Sequence, residues 1–404
     1  MFSFLFFFSV LTLNIFRIFW YYIIGNILAR DNSTEIGIIL RSIFIHMGPT
    51  GIKIGQVLSH RIDILPQKIC AVLSKLTDNL PGLGINEEKK LLNYAKTVVN
   101  YNSPPIKIGA GCIAVTYLTT VKNNDVVMKI KRPNIDKDLE LSFNRVCNIL
   151  YLLSKFGLIN LNEKIYKIKD SLYRQTDFEY ELSELEYFYK RYNQSKLFDK
   201  IIIPKPYPEL SDKNIITLEY LRGKNVDNLE KKQKENIANT LWDFCFHSSF
   251  IDGHWHSDLH KGNLLYMDDK LGIIDFGLTG RLKGFEKSII LNYNTHILKK
   301  EWFSAARLYI TKMTEKCEMS DEKKNNFEID ITNILFKNFG KNNPDMINCV
   351  SEMDNCSRHY GTRFNNRYAK FELAFSTMAS TMVELGHDNI YEYMGKTLMK
   401  PKSH

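Results

Sequence analysis

Several absences narrow the reading of this chain before any motif is considered. The seven cysteines (Cys70, Cys112, Cys147, Cys245, Cys317, Cys349 and Cys356) are odd in number, scattered, and never spaced as C-x-x-C. That pattern excludes a disulfide framework and a cysteine-based zinc site, and it fits free thiols in a reducing compartment. There is no low-complexity tract and no internal repeat. Although the net charge is +9, no basic run is dense enough to argue for nucleic acid, which is not expected as a partner. Acidic residues are missing from the first 24 positions, but no basic stretch precedes that apolar run and no small-residue cleavage site follows it, so a signal peptide is disfavoured.

What is present is ordinary in bulk: 404 residues, 44% apolar and 25% charged, enough for two lobes and an accessory segment. The N-terminus departs from that average. Phe2 to Ile24 is almost wholly apolar and aromatic, interrupted by Asn14 and Arg17. Its length suits a bilayer span, but a central Arg costs about 2.5–3.5 kcal/mol on insertion scales. Trp20, Tyr21 and Tyr22 suit a headgroup region. A transmembrane anchor, an interfacial helix and a buried helix all remain open, and membrane association is the shared expectation of the first two.

Beyond it, Glu35–Met47, Gln67–Leu76 and Asn86–Val99 read as helices, with turns at Gly48-Pro49 and Pro81-Gly82. The pattern then changes to short apolar runs. Ile113–Val121, a turn at Asn123-Asn124-Asp125 and Val126–Ile130 predict a β-hairpin. Residues 136–195 read as helical again, Ile201–Ile203 and Ile215–Tyr220 as strands, and the chain after Asn228 as largely helical.

The densest chemistry lies in His256-Ser257-Asp258-Leu259-His260-Lys261-Gly262-Asn263, followed by Ile274-Asp275-Phe276-Gly277. The first is H-x-D-x-x-x-x-N and the second D-F-G, in the order in which a protein-kinase-like lobe presents its catalytic loop and metal-binding Asp. Phosphoryl transfer needs a carboxylate near the acceptor hydroxyl, filled by Asp258. It also needs an amide and a second carboxylate on Mg²⁺, filled by Asn263 and Asp275. Lys129, in Val126-Val127-Met128-Lys129, sits where such a lobe puts the lysine that holds the α/β-phosphates, and Glu181 is the best carboxylate to hold it. Gly109-Ala110-Gly111-Cys112 precedes a strand as a small-residue loop whose backbone N–H groups can approach phosphates. His254, His256 and His260 invite a metal reading, but a histidine before the catalytic Asp is more often structural.

These motifs, with Lys53-Ile54-Gly55-Gln56 and Arg61-Ile62-Asp63-Ile64-Leu65-Pro66, resemble the UbiB-type atypical kinases linked to ubiquinone biosynthesis. The likeness runs from Gly48 to Met313 and includes Lys129-Ile130-Lys131-Arg132-Pro133 and the Leu218-Glu219-Tyr220 hinge. It implies an α+β, bilobal protein-kinase-like fold with an N-terminal helical K-x-G-Q extension. Residues 1–30 would form the membrane-associated segment, 31–105 the extension, 106–223 the N-lobe and 224–404 the mainly helical C-lobe. The extension is understood to fold over the nucleotide cleft and block peptide binding, which makes Lys53 an active-site residue beside Asp258 and Lys129. Glu219 and Tyr220 become nucleotide contacts. The absence of an A-P-E motif after Gly277 agrees, favouring ATP hydrolysis or action on a lipid-like molecule over protein phosphorylation.

Two departures stand out. The family's A-A-A-S loop aligns with Gly109-Ala110-Gly111-Cys112, and the Glu of its E-x-D motif aligns with Gln175. A Gln can offer Lys53 only a neutral acceptor, which is weaker than a carboxylate. The chain also stops soon after Leu398, so the C-terminal membrane helices of bacterial members are expected to be absent. The expected activity is that of a membrane-associated kinase/ATPase using ATP (or ADP) and Mg²⁺. It would support ubiquinone or other isoprenoid-lipid metabolism at a bacterial or mitochondrial inner membrane. A membrane lipid such as an isoprenoid quinone precursor, and membrane-bound biosynthetic enzymes, would be its partners. The alternative is a nucleotide-binding pseudokinase scaffold. A choline/aminoglycoside-type phosphotransferase shares H-x-D-x-x-x-x-N but lacks K-x-G-Q.

Overall fold

The computed structural model describes residues 32–59, 65–76, 83–155, 172–193, 198–340 and 346–387, with the single positions 17, 20, 169 and 393. Apart from Arg17 and Trp20, the apolar segment Phe2–Ile24 lies outside the described residues, as do positions 61–64 and the Pro81-Gly82 turn. Among the described residues no helix is long and apolar enough to cross a membrane.

Four helices come first: α1 (Ser33–His46), α2 (Gly48–Ser59), α3 (Gln67–Leu73) and α4 (Ile85–Val98). Strands β1 (Ile106–Ala110), β2 (Ala114–Val121) and β3 (Asn124–Lys131) follow, then α5 (Ile135–Lys155) and α6 (Phe178–Tyr192). Next are β4 (Ile201–Ile202), β5 (Ile215–Glu219), β6 (Lys224–Asn225), α7 (Lys231–Phe246) and β7 (His254–His256). The hairpin β8 (Leu264–Met267) and β9 (Lys270–Ile273), then β10 (Thr279–Arg281), lead into helices α8 (Gly284–Leu298) and α9 (Trp302–Leu308). Helices α10 (Asp321–Phe339), α11 (Met346–His359) and α12 (Asn366–Glu384) follow.

The chain divides into two compact units, Met1–Ser183 with Lys205–Tyr220, and Glu184–Pro204 with Leu221–His404. The motif order places all of 106–223 in one lobe, whereas Glu184–Pro204 group with the second unit. The reason is pairing: β4 runs parallel to β9, and Asn193 exchanges hydrogen bonds with the Ile203 backbone.

In the first unit the sheet order is β1-β2-β3-β5, antiparallel throughout. Lys122 and Asn123 take positive φ between β2 and β3, so the turn sits one residue earlier than expected and Asn124 already pairs with Val121. One face of this sheet packs on α4 through Val115, Tyr117, Met128, Leu91 and Ala95. A separate core joins α1, α2, α3 and α5. Along α5, Leu139, Phe143, Val146 and Leu150 recur at helical spacing and are buried there. Asp136 and Asp138 in its first turn and Lys155 in its last complement the helix dipole. Gly51 and Gly55 are required by packing. A Cβ at Gly55 would meet the Phe44 ring at 2.7 Å, and one at Gly51 the Phe44 carbonyl oxygen at 2.5 Å.

The second unit holds the sheet β4-β9-β8-β6, the pair β10-β7 and the helices from α7 onward. Its aromatic core includes Trp242, Phe250, Phe371 and Phe375, whose rings meet at centroid distances of 5.7–6.1 Å.

Candidate functional site

In the first unit, β3 carries Lys129 and α6 carries Glu181. The Lys129 ammonium lies 2.7 and 3.0 Å from the two Glu181 carboxylate oxygens, so a two-pronged ion pair joins strand and helix. Glu181 is nearly buried and Lys129 is about one-fifth exposed, which leaves the ammonium able to meet a further anion. The helix that aims Glu181 is capped by Asp177, whose carboxylate accepts the Tyr180 N–H at 3.0 Å. Gln175 and Thr176 are buried just ahead of that cap.

The small-residue segment is only partly a loop. Gly109 and Ala110 end β1, paired with Thr116 and Val115, after a register shift at Lys107/Gly109. Arg132 holds the turn that follows: its Nε–H donates to the Gly111 carbonyl at 2.8 Å and its backbone N–H to the Ile113 carbonyl. Cβ atoms built at Gly109 and Gly111 would make only ordinary contacts, at 3.6 Å or more, so the chain's own packing does not demand their smallness. The Cys112 side chain turns away from this loop. It is buried in the same apolar cluster as Ile54, Leu58 and Phe143, so only the backbone at this position is available to a ligand. Lys53 lies partly exposed on α2, and Gln56 on the same helix donates to the Leu76 carbonyl at 3.3 Å. At the end of β5, the Glu219 carboxylate accepts the Lys205 N–H at 3.1 Å, and the Tyr220 N–H donates to the Asp125 carbonyl.

The second unit gathers Asp258, Asn263 and Asp275. His256 stitches the two motifs together. Its Nδ1 accepts the Asp258 N–H at 3.1 Å, which leaves the proton on Nε2 to be donated to the Asp275 carbonyl. Burial lowers the pKa of this imidazole below its ordinary value, and that keeps it in the neutral form the two bonds require. The Asn263 Nδ2 donates to the Asp258 carbonyl at 3.0 Å, turning its Oδ1 into the amide atom available to a cation. The Asp275 carboxylate accepts the Gly277 N–H at 2.9 Å. His260 Nε2 stands 3.6 Å from the Asp258 carboxylate, and its Nδ1 accepts the Gly262 N–H. Among the described residues no group of three or more His, Cys, Asp or Glu is placed to hold a metal ion.

Several supporting residues were not legible as site residues. Phe276 is buried, with the Phe188 ring of α6 at 4.8 Å and the His256 ring at 5.1 Å. Glu184, one turn after Glu181, accepts from Thr279 at 2.6 Å and from Arg281 at 2.9 Å, and pairs with His254. Burial would push this carboxyl up. The hydrogen bonds from His254 and Thr279, with the Arg281 charge, outweigh it and hold the group below its usual range. Arg191 grips Asp252 with two bonds at 2.9 and 3.0 Å. Gly280 has no room for a side chain, because a Cβ there would sit 2.1 Å from the Trp255 ring. The one sequence signal for the α6 residues is their stripe: Leu185, Phe188 and Tyr192 recur at helical spacing from Glu181.

Comparison with known proteins identifies the family. Residues 93–309, more than half of the chain, match the ABC1 atypical kinase-like domain. An uncharacterized protein from the hydrogenase 1 5′ region of Clostridium pasteurianum is 31% identical over 274 residues, covering 64% of this chain and 50% of that protein. An uncharacterized chloroplastic aarF domain-containing protein kinase of Arabidopsis thaliana is 28% identical, covering 60% of this chain and 48% of the relative. The chloroplastic protein ACTIVITY OF BC1 COMPLEX KINASE 7 of the same plant is 25% identical, covering 65% of this chain and 39% of its own length. The chain thus spans about half the length, or less, of these relatives. The fold resembles that of Rv3197 from Mycobacterium tuberculosis, solved in complex with erythromycin, with a TM-score of 0.54 at 14% identity, over 79% of this chain and 84% of that one. The chain belongs to the ABC1 atypical kinase-like family, the UbiB-type group that its motifs resemble.

Proposed function

We propose that this chain is an atypical kinase/ATPase that binds Mg²⁺-ATP. The observation that carries the reading is His256, whose two ring nitrogens tie the Asp258 and Asp275 backbones together and so set both carboxylates from one neutral side chain. Hard oxygen donors suit Mg²⁺, and Asn263 Oδ1 with the Asp275 carboxylate would supply them. When bound, the ion neutralises phosphate charge. Lys129, fixed by Glu181, pairs with phosphate oxygens. Gly109, Ala110, Gly111 and Cys112 would lie along the phosphates, with side-chain space left open at Gly109 and Gly111 and the Gly111 N–H already donated to the Ala114 carbonyl at 2.9 Å. Asp258 orients the attacking hydroxyl or water and accepts its proton. Glu219 and Tyr220 would border the base.

The finer reading follows the family resemblance. Lys53 reaches the nucleotide from the K-x-G-Q helix, protein substrates are disfavoured, and the chain acts at a membrane in isoprenoid-lipid or ubiquinone metabolism. Binding without turnover is the second reading, favoured by Gln175, which gives Lys53 no carboxylate to pair with.

The test is Mg²⁺-dependent ATP binding and turnover by the full chain, with and without anionic liposomes, beside Asp258→Asn and Asp275→Asn. Asp275→Asn is expected to lose Mg²⁺-dependent affinity at least tenfold. Asp258→Asn should bind normally and lose turnover. Unchanged Mg²⁺-ATP affinity in Asp275→Asn would sink the assignment. Binding with no turnover under any condition would select the scaffold.

A further inference from the structure

Far along the chain from the catalytic motifs, within the second unit, helices α8, α10, α11 and α12 and the segment before α12 surround a small cavity. Tyr293, Phe339, Cys349, Met353 and Phe364 line it, and so does one carboxyl group, Glu372. Glu372 is only 5% exposed. Its Oε1 is buried with no hydrogen-bond partner among the described residues. The Tyr293 hydroxyl is already committed to the Met353 sulfur at 3.7 Å, and the Cys349 thiol approaches the same sulfur at 3.6 Å. Among the described residues, the wall lines the acid with aromatic rings and soft sulfur.

An unpaired buried carboxyl is costly, and structures rarely keep one that nothing meets. The rest of the lining narrows what could meet it. Metal coordination is disfavoured, because no group of three or more His, Cys, Asp or Glu ligands forms among the described residues. Three aromatic side chains attract organic cations through their ring quadrupoles. The enclosed space takes only a water-sized group, and the pocket is partly open to solvent. An –NH₃⁺ head matches that enclosed size and donates three hydrogen bonds, while an apolar stem suits the outer walls.

We propose that the Glu372 cavity is a binding site for a primary alkylammonium group, held by a charge-assisted hydrogen bond to the carboxylate and by the surrounding rings. This site is independent of the nucleotide reading, since it is reached and measured without ATP.

The probe is n-butylammonium chloride added to the full chain at pH 8, with binding followed by calorimetry and thermal unfolding. Burial pushes the Glu372 carboxyl up to about 7, so at pH 8 most of it is ionised. Saturable binding with a rise in Tm is expected, and n-butanol and sodium chloride at equal concentration should give neither. Glu372→Gln, nearly isosteric, is expected to weaken binding at least tenfold, and Phe364→Leu several-fold with the carboxyl intact. The proposal is overturned by an absence of binding, by equal stabilisation with n-butanol, or by undiminished affinity in Glu372→Gln. Should that variant fold poorly, undiminished affinity in Phe364→Leu overturns the ring-lined site equally.

Discussion

Two carboxyl groups of the second unit are both almost closed to solvent and behave in opposite ways. Glu184 is 2% exposed and Glu372 5%. Burial pushes both upward, yet the Glu184 carboxyl ends below its usual range and the Glu372 carboxyl rises to about 7. The difference lies in partners. Pairing of β7 with β10 sets Arg281 opposite His254 and Thr279 opposite His256. This brings the donors from His254, Thr279 and Arg281 onto Glu184. Glu372 is faced by rings and sulfur instead. Depth sets the cost of a charge, and the neighbours decide whether that cost is met.

The strongest way to break the comparison is to remove Glu184. Glu184→Ala leaves His254 and Thr279 without their acceptor, and breaking a buried hydrogen-bonded pair costs about 3–5 kcal/mol. Denaturant unfolding at pH 7 should show that loss. Because the folded-state pKa of Glu184 is depressed, its contribution is present above the ordinary carboxylate range and fades as pH falls through it. The variant should therefore approach the wild type at acidic pH.

Glu372→Gln should move stability the other way. Here the folded-state pKa is raised from 4.5 to about 7, so the unfolded chain releases its proton first. The folded state is penalised as pH rises above 4.5, and the penalty is complete once pH exceeds about 7. The amide variant is expected to be more stable than the wild type by about 3 kcal/mol at pH 9 and equal to it near pH 4. A gain independent of pH would show that the carboxyl is not the origin of the effect.

The two acids also mark how far the sequence could be read. Lys129, Asp258, Asn263 and Asp275 stand out in the sequence because phosphoryl-transfer chemistry would demand those residue types in that order. Glu181 was legible as the nearest helical acid able to hold Lys129. Glu184 sits three residues further on in the same acidic run, and nothing local distinguishes a buried, three-partner carboxylate from a solvated one. Phe188 belongs to a helical apolar stripe, which announces core but not the residue it packs against. The burial of the Cys112 side chain was not legible for a similar reason: nothing in a small-residue loop shows that the neighbouring α1–α2–α5 core claims it. The strand pairing that moves Glu184–Pro204 into the second unit is a long-range event between β4 and β9, and no local pattern encodes it. Glu372 was the least legible. An acid on an amphipathic helix ordinarily faces water, and only the convergence of the C-terminal helices shows that this one does not.

A third arrangement sharpens the comparison by supplying partners without burial. Lys261, in the catalytic loop, meets Asp227 at 2.7 Å and Glu384, at the end of α12, at 3.2 Å. Both carboxylates are about half exposed, and hydrogen bonds to them raise the lysine's pKa from its ordinary value. The geometry is closer than that of many buried pairs, yet water already solvates all three groups and salt screens them. Lys261→Met is therefore expected to cost under about 1 kcal/mol at low salt, and less at 0.5 M sodium chloride. Urea unfolding at the two salt concentrations measures this directly. A loss as large as that of Glu184→Ala, or one indifferent to salt, would mean that partners matter equally at every depth. The expected result, small and screened, leaves burial as the factor that makes the partners of Glu184 decisive and the lack of partners at Glu372 costly.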